Sequence, residues 1–370
     1  MKILIATNAF KNSLSAISAC DAIKNGLQKK YPNHIYDICP VCDGGDGTCE
    51  VISLAIGAEM KKVNTVGPLY EKVKSEYGIH KEKKIAIIEI AKVAGLSMIP
   101  SQSRNPLITT TFGAGALVKD ALDNGCKKII FCIGGTCTND AGMGLLISLG
   151  VKFYDKNHNE LEGIGKSLED VYEIDYSNLD TRLKETEIIV ANDVTNCLYG
   201  NNGAAYVYAK QKGASKEMIE RLDKGLQNFS KVLDKTFNVD SQSISGGGSG
   251  GGLGISLRLF LNAKLESGFD IVKEYVNLEE KIKNADIVIT GEGKLDSQTK
   301  NGKGPIGVAK LAKKYNKKVV AVCGKAEKDI YFKEVDEIFI LCEFAREISL
   351  TELINEGYVH LSKMAETIVL

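Results

Sequence analysis

Tryptophan is absent from the 370 residues, and aromatic residues make up only 7 % of them. Proteins that grip single-stranded nucleic acid stack bases on aromatic rings, so this scarcity speaks against that role. Net charge is missing too, because 47 Lys and Arg balance 47 Asp and Glu. Without a basic field there is no electrostatic footprint for nucleic acid or an anionic membrane surface. No apolar stretch reaches the roughly 20 residues that span a bilayer. The opening MKILIATNAFKNSL has too short an apolar run for a signal peptide and reads as a buried first strand. Histidine occurs four times, each alone and outside the Gly- and Asp-rich loops, which disfavours histidine-based catalysis. The patterns G-x-x-x-x-G-K-[ST], G-x-S-x-G and H-E-x-x-H do not occur, so a P-loop NTPase, a nucleophile elbow and a zincin helix are not expected.

What is present is a globular composition, 44 % hydrophobic and 25 % charged. The length suggests two domains. Ten cysteines lie scattered in apolar runs such as IIFCIGG and VVAVCG. In a large chain without a secretion signal they are expected to be reduced and the compartment cytoplasmic. The single C-x-x-C, Cys39 to Cys42, has no second pair that would make it a metal site. Glycine is in excess at 37 residues, one in ten.

Strand-like and helix-like runs alternate at both ends of the chain, which implies parallel βαβ units. ILIAT (3–7), HIYDICPV, ADIVITGEG, KKVVAVCG and EIFIL read as strands. Helices are expected from about Ser15 to Lys29, over 304–315 and from Leu350 to Leu370. The middle differs. NTVGPLYEKVKSEYGI and KEKKIAIIEIA alternate with period two, fitting antiparallel or mixed pairing. Further helices are expected over 111–124, 139–149 and Ser215–Asp234, and an amphipathic one in GISLRLFLNAKLESG. The expected fold is α/β: a discontinuous parallel-sheet domain from residues 1–65 and 280–370, with an inserted α+β domain at 66–279.

Open α/β sheets bind ligands in loops beyond the carboxyl ends of their strands. Six such loops are rich in Asp, Asn, Lys and Gly. The first carries Asn8, Lys11 and Ser13. The second, DGGDG, carries Asp43 and Asp46 and opens a helix whose N-terminus suits an anion. The third runs from Gly134 and Gly135 to Asn139 and Asp140. The fourth, NDVTN, holds Asp193. The fifth is SGGGSGGG (245–252), which reads either as a linker or as an ordered phosphate-binding turn. We take the ordered reading because it enters an apolar helical run directly. Its formal G-x-G-x-x-G is what any glycine run satisfies by chance. The sixth holds Glu292, Lys294, Asp296 and Lys303. Acidic loops with Lys and glycine turns suggest magnesium-dependent phosphoryl transfer, where positioning and charge neutralisation dominate.

The chain also resembles the type-1 bacterial glycerate kinase family over nearly its whole length. The resemblance lies in AFKNSLSA, CDGGDGT, EIAKVAGL, R-N-P with TTTFGAG, IGGTCTNDAGMG, ANDVTNCLYGNNGAAYVYAKQKGA, GGLG before FLNAKL, and ITGEGKLDSQTKNGKGP. It implies ATP-dependent phosphorylation of D-glycerate to 2-phosphoglycerate, and a Rossmann- or flavodoxin-like domain built from both chain ends with the site in an interdomain cleft. The chain departs from the family pattern at Asn8, where Asp is usual, so no base is assigned there. It also departs at Asp46 (usually Glu), at Lys294 (usually Arg) and at Ser249. On this reading Asp193, Lys11 and Asp43 are catalytic, with Asp193 preferred as the base. Lys11, Arg104, Asn139 and Asp140 bind glycerate. Gly134, Gly135, Gly248, Gly250, Gly251, Lys294 and Lys303 bind ATP. Asp43, Asp193 and Asp296 hold Mg²⁺. The partners are small molecules, glycerate and ATP, without nucleic acid or membrane, and a homo-oligomer is compatible with this. Phosphorylation at the 3-position, a nicotinamide-dependent oxidoreductase of small hydroxy acids and a non-catalytic sugar-acid sensor stay open.

Overall fold

The computed structural model describes residues 1–297, 299 and 304–370. Among them the strands are β1 (Lys2–Thr7), β2 (Ile35–Ile38), β3 (Glu59–Val66), β4 (Lys72–His80), β5 (Ile85–Glu89), β6 (Lys128–Cys132), β7 (Lys152–Tyr154), β8 (Glu173–Asp175), β9 (Glu187–Ala191), β10 (Lys264–Glu266), β11 (Ile287–Leu295), β12 (Lys318–Ala326) and β13 (Glu337–Ile340). The chain divides into two compact units, Met1–Asp43 with Phe269–Leu370, and Gly44–Gly268. Sequence reading set the breaks near 65 and 280. Residues 44–65 instead belong with the insertion, because helix Thr48–Ile56 packs on β4 and β5 while β3 pairs with β4. Helix Leu278–Lys283 packs on helix Pro305–Lys314 of the outer unit.

The outer unit holds a five-stranded sheet in the order β13-β12-β11-β1-β2, parallel throughout. Ile3, Leu4, Ile5 and Ala6 are all fully buried. A parallel strand covered on both faces needs such a continuous apolar run rather than an alternating one. Helix Ala16–Lys30, capped by the Ser15 hydroxyl accepting from Ser18 N at 3.1 Å, packs against helix Gly357–Ala365. Ile23, Leu27, Leu361 and Met364 join the β1 side chains in one core. The expected terminal helix is two helices, Leu350–Asn355 and Gly357–Ala365, broken at Glu356.

The inserted unit holds a six-stranded sheet in the order β10-β9-β6-β5-β4-β3. Strands β5, β6, β9 and β10 are parallel; of the two period-two segments, the first falls in the antiparallel hairpin β3–β4 at one edge, and the second is β5, antiparallel to β4 and parallel to β6. Strands β7 and β8 form a separate ribbon. Ile88, Phe131, Val190, Leu117, Phe153 and Phe229 share one core. The helix expected over 139–149 is shorter, Met143–Ser148, because Ala141 (φ 50°) and Gly142 (φ 75°) turn left-handed just before it. The amphipathic run ends as helix Ser249–Phe260, and Asn262 (φ 50°) turns the chain into β10. In both units the polar loops of interest leave the carboxyl ends of parallel strands.

Candidate active site

In the outer unit three strand ends gather charge. The loop after β1 starts at Asn8, which is buried and whose side-chain oxygen accepts from Ala9 N at 2.7 Å. It continues to Lys11, which is exposed. Gly293 of β11 lies against it, since a Cβ there would sit 3.1 Å from Lys11 N. Asp43, half-buried, ends the segment that follows β2. Glu292 and Asp296 come from the end of β11. Burial raises the Glu292 carboxyl to about 7. The Thr299 hydroxyl, donating at 2.8 Å, and the charge of Lys11 oppose that rise, while Asp43 and Asp296 add to it. Lys294 is exposed, and its ammonium pairs with Asp296 at 2.9 Å and Glu327 at 4.0 Å. Glu292, partly buried like Asp43 and Asp296, belongs beside them in the candidate site. Its signal in the sequence was an acid two residues past the apolar core of a strand. Lys303 lies outside the described residues.

Two carboxylates that disfavour the charge of a third suit a hard divalent cation. Asp43, Glu292 and Asp296 do not form a closed set with ligand atoms within 4.8 Å of one another. Magnesium does not need one, because it is ordinarily held by one or two carboxylates plus substrate phosphates and water. The donor set therefore fits Mg²⁺ carried on a nucleotide. Asp193 belongs to the inserted unit.

In the inserted unit the site is made of backbone and buried neutral groups. The loops after β6 and β9, the DGGDG loop and the glycine run converge. A Cβ on Gly134 would fall 2.8 Å from Gly45 Cα, and one on Gly44 would fall 3.1 Å from Ala191 Cβ. Gly135 lies against the Asp46 carboxylate. Asp193, just past β9, is half-buried, and its Oδ1 accepts from Ser267 Oγ at 3.2 Å and Gly268 N at 3.1 Å just past β10. Two adjacent parallel strands therefore fix the orientation of this carboxylate.

The run 245–252 is packed, not a linker. Gly250, Gly251 and Gly252 adopt φ of 61°, 75° and 90° in succession, a path closed to most side chains. A Cβ on Gly251 would meet Thr138 O at 2.2 Å, and one on Gly248 would meet Cys197 O at 2.1 Å. Gly251 O accepts from Ala141 N, and Gly248 N donates to Asn196 O, both at 3.0 Å. The run is the wedge that holds the Thr138–Ala141 and Asn196–Cys197 segments in place. It is no dinucleotide fingerprint either, since the turn Ser241–Ser243 rather than a strand precedes it.

Two expected substrate ligands are engaged elsewhere. The Asp140 carboxylate, fully buried, accepts from Thr111 N (2.8 Å), Thr111 Oγ1 (2.7 Å), Gly142 N and Gly144 N (both 3.2 Å). It shapes the loop into the Met143 helix. Arg104 donates to Leu96 O (2.8 Å), Ile99 O (3.1 Å) and Gln211 O (3.4 Å), so it ties two backbone segments together. Asn139 is different. It is fully buried, and neither its amide nitrogen nor its oxygen has a hydrogen-bond partner among the described residues. Thr138 Oγ1 is unpartnered as well. Such groups carry a cost of about 1–3 kcal/mol each until a partner arrives.

Sequence reading missed two residues. Lys212 is one of two lysines in AKQKGA, yet only 3 % of it is exposed. Its ammonium donates to Thr138 O at 2.6 Å and Thr136 Oγ1 at 3.3 Å, and desolvation lowers it to about 8. Glu89, ending β5, is 4 % exposed and accepts from Gly47 N and Cys49 N at 3.2 Å. It supplies from within the chain a hydrogen-bond acceptor at this helix N-terminus, where the sequence led us to expect a bound anion. Burial raises it to about 7.

The glycerate kinase family model matches residues 3–370. The chain is 45 % identical to the glycerate 2-kinase of Escherichia coli K12 over 89 % of this chain and 87 % of that one. It is 41 % identical to a glycerate kinase of Halalkalibacterium halodurans over 99 % and 97 %. A crystal structure from Salmonella typhimurium LT2 whose description names glycerate kinase 2 superposes with a TM-score of 0.85 at 39 % identity, covering 99 % of this chain and 96 % of that one. Among the described residues no helix is long and apolar enough to cross a membrane. The chain belongs to the glycerate kinase family, and its activity is that of a glycerate kinase, an ATP-dependent phosphotransferase.

Proposed function

We propose that the enzyme transfers the γ-phosphoryl group of ATP to the 2-hydroxyl of D-glycerate, releasing ADP and 2-phosphoglycerate. The choice of the 2-hydroxyl rests on the 45 % identical relative named glycerate 2-kinase. The observation that carries the site is Asp193, a carboxylate oriented by Ser267 and Gly268 amid glycine-built loops.

Phosphoryl transfer asks a protein for little covalent chemistry and much positioning. Asp193 accepts the proton of the attacking hydroxyl, the role of a general base within hydrogen-bond reach of its substrate. Lys11 offers a mobile cation to the glycerate carboxylate. Asn139, with donor and acceptor both open, supplies the polar contact that its burial demands. The backbone of 134–135 and 248–251 walls in the phosphates. Lys212 locks the Thr136–Thr138 turn and Asp140 locks the residues after it. Asp43 and Asp296, with Glu292 behind them, are the groups that would hold Mg²⁺, which neutralises phosphate charge when bound.

The test is a coupled ADP-release assay on the purified full chain with ATP, Mg²⁺ and D-glycerate, followed by phosphorus NMR of the product. The expected product signal is split by the one proton on C2. A signal split by the two protons on C3 would overturn the regiochemistry. Reduction of NAD⁺ at the expense of D-glycerate, without ADP release, would overturn the kinase assignment itself.

A further inference from the structure

The last two helices carry a cluster that phosphoryl transfer does not use. Glu352, Glu356 and His360 follow one another at intervals of four. The helical register runs on through the break, since Glu356 N donates to Glu352 O at 2.8 Å and His360 N to Glu356 O at 3.2 Å. Residues four apart on a helix share a face, so the three side chains form one stripe. Their ligand atoms, two carboxylate oxygens and an imidazole nitrogen, all lie within 4.8 Å of one another.

A second observation concerns His360 alone. The residue is 5 % exposed, and its Nε2 is buried with no hydrogen-bond partner among the described residues. Nε2 points to the same stripe, 3.9 Å from Glu356 Oε2, beyond hydrogen-bond reach. A buried ring nitrogen facing two carboxylates across that gap lacks something that accepts its lone pair and neutralises their charge. A cation does both.

We propose that Glu352, Glu356 and His360 bind a divalent cation of the zinc class, separate from the magnesium of the kinase reaction. The imidazole selects a borderline metal over Mg²⁺ or Ca²⁺, which prefer all-oxygen shells. Ligands about 2.1 Å from a tetrahedral zinc lie about 3.4 Å apart, so the set, whose ligand atoms lie within 4.8 Å of one another, must contract. Both glutamates are exposed and can make that movement. Water fills the open position. The ion clamps the junction between the helices, and that junction supports the Lys11 loop. Ser13 Oγ donates to Ile354 O at 2.8 Å, and Gly357 is packed so closely on Ser13 that a Cβ would sit 2.1 Å from its hydroxyl.

The test uses the full chain, stripped with chelator and dialysed, with Co²⁺ alone as the probe. One equivalent should bind with ligand-field bands typical of nitrogen and oxygen donors. E352Q/E356Q should lose those bands, while E366Q, altered at a glutamate paired with Lys29, keeps them. Zn²⁺ should raise the melting midpoint of the wild type by a few degrees and leave that of the double variant unchanged. Because the glutamates are exposed, the double variant should fold, and its Mg²⁺-dependent ADP release should match the wild type. Cobalt bands that survive in the double variant, a thiolate-to-cobalt charge-transfer band, or no uptake by the wild type would each overturn the site.

Discussion

The two units place polar groups at the carboxyl edge of a parallel sheet with opposite materials. The outer unit uses charge. Lys11, Asp43, Glu292, Lys294 and Asp296 are exposed or only partly buried, and they perturb one another electrostatically. The inserted unit uses shape. Its loops pack backbone on backbone at glycines, its buried ionisable groups Asp140, Glu89 and Lys212 are hydrogen-bonded to loops of the same unit, and Asn139 is left open. A charged cluster tolerates movement because Coulomb attraction falls slowly with distance. A packed glycine wedge tolerates none. The outer unit is therefore expected to answer mutation through binding constants, and the inserted unit through turnover and folding.

The largest effect is expected at Asp193. Asp193→Asn keeps an oxygen for Ser267 and Gly268 but removes the base, so kcat should fall by about 10³-fold, within the range ascribed to general bases. Urea midpoints should stay near the wild type. Near-normal ADP release would remove Asp193 from the chemistry and leave the inserted unit without its one reactive group.

Next comes the wedge. Gly251→Ala forces a Cβ to within 2.2 Å of the Thr138 carbonyl at φ 75°, so backbone must move. Gly57→Ala is the matched control, with φ 74° and nothing within 4 Å. The control should lose only the left-handed penalty, roughly 1–2 kcal/mol. Gly251→Ala should lose at least about 3 kcal/mol in urea unfolding, as overpacking adds to strain. Equal losses would mean that the run is a loose segment after all.

The third effect is pH-dependent and lies under the DGGDG loop. In the unfolded chain Glu89 ionises near its ordinary 4.5, whereas the folded protein keeps it protonated up to about 7. Between those values the native state binds more protons, so its stability falls as pH rises. Glu89→Gln cannot titrate. The stability of the wild type relative to this variant should therefore drop by on the order of 2 kcal/mol from pH 5 to pH 8. A flat difference across that window would show that the carboxyl titrates as it does in water.

This contrast also governs what was legible in the sequence. Asp193 stood out because a polar group at the end of an apolar strand needs a partner, and Asp43 and Asp296 because they sit in loops that combine acids with glycine or lysine. The parallel strands were legible as unbroken apolar runs, and the β3–β4 hairpin as a change of period. Shape was much harder to see. SGGGSGGG has the composition of a linker, and only the Thr138 and Cys197 carbonyls opposite it reveal a wedge. Lys212 sits among exposed charges in AKQKGA, and no local pattern marks it as buried. Asp140 looked like a ligand because the sequence does not show that Thr111, Gly142 and Gly144 already surround it. Glu89 was readable in principle, as the one acid closing the apolar run IAIIE.

The smallest effect separates two lysines of the outer unit. Lys11 and Lys294 are both exposed; Lys11 follows β1, and Lys294 lies near the end of β11. Lys294 is already held by Asp296 at 2.9 Å with Glu327 behind it. Removing it frees a carboxylate without depriving a substrate of its partner, so Lys294→Ala should change KM for glycerate by less than about twofold, in line with the small worth of exposed ion pairs. Lys11 touches the cluster only through space, lowering Glu292, and its ammonium serves the substrate carboxylate. Lys11→Ala should raise KM for glycerate about tenfold, or roughly 1.4 kcal/mol, with kcat within a factor of a few, since a uniform binding contact acts on KM alone. Steady-state kinetics with glycerate varied at saturating ATP decide it. If Lys294→Ala raises KM as much as Lys11→Ala, the outer unit binds its anion by net charge rather than by one placed cation. If Lys11→Ala lowers kcat as deeply as Asp193→Asn, the division between binding in one unit and turnover in the other does not hold.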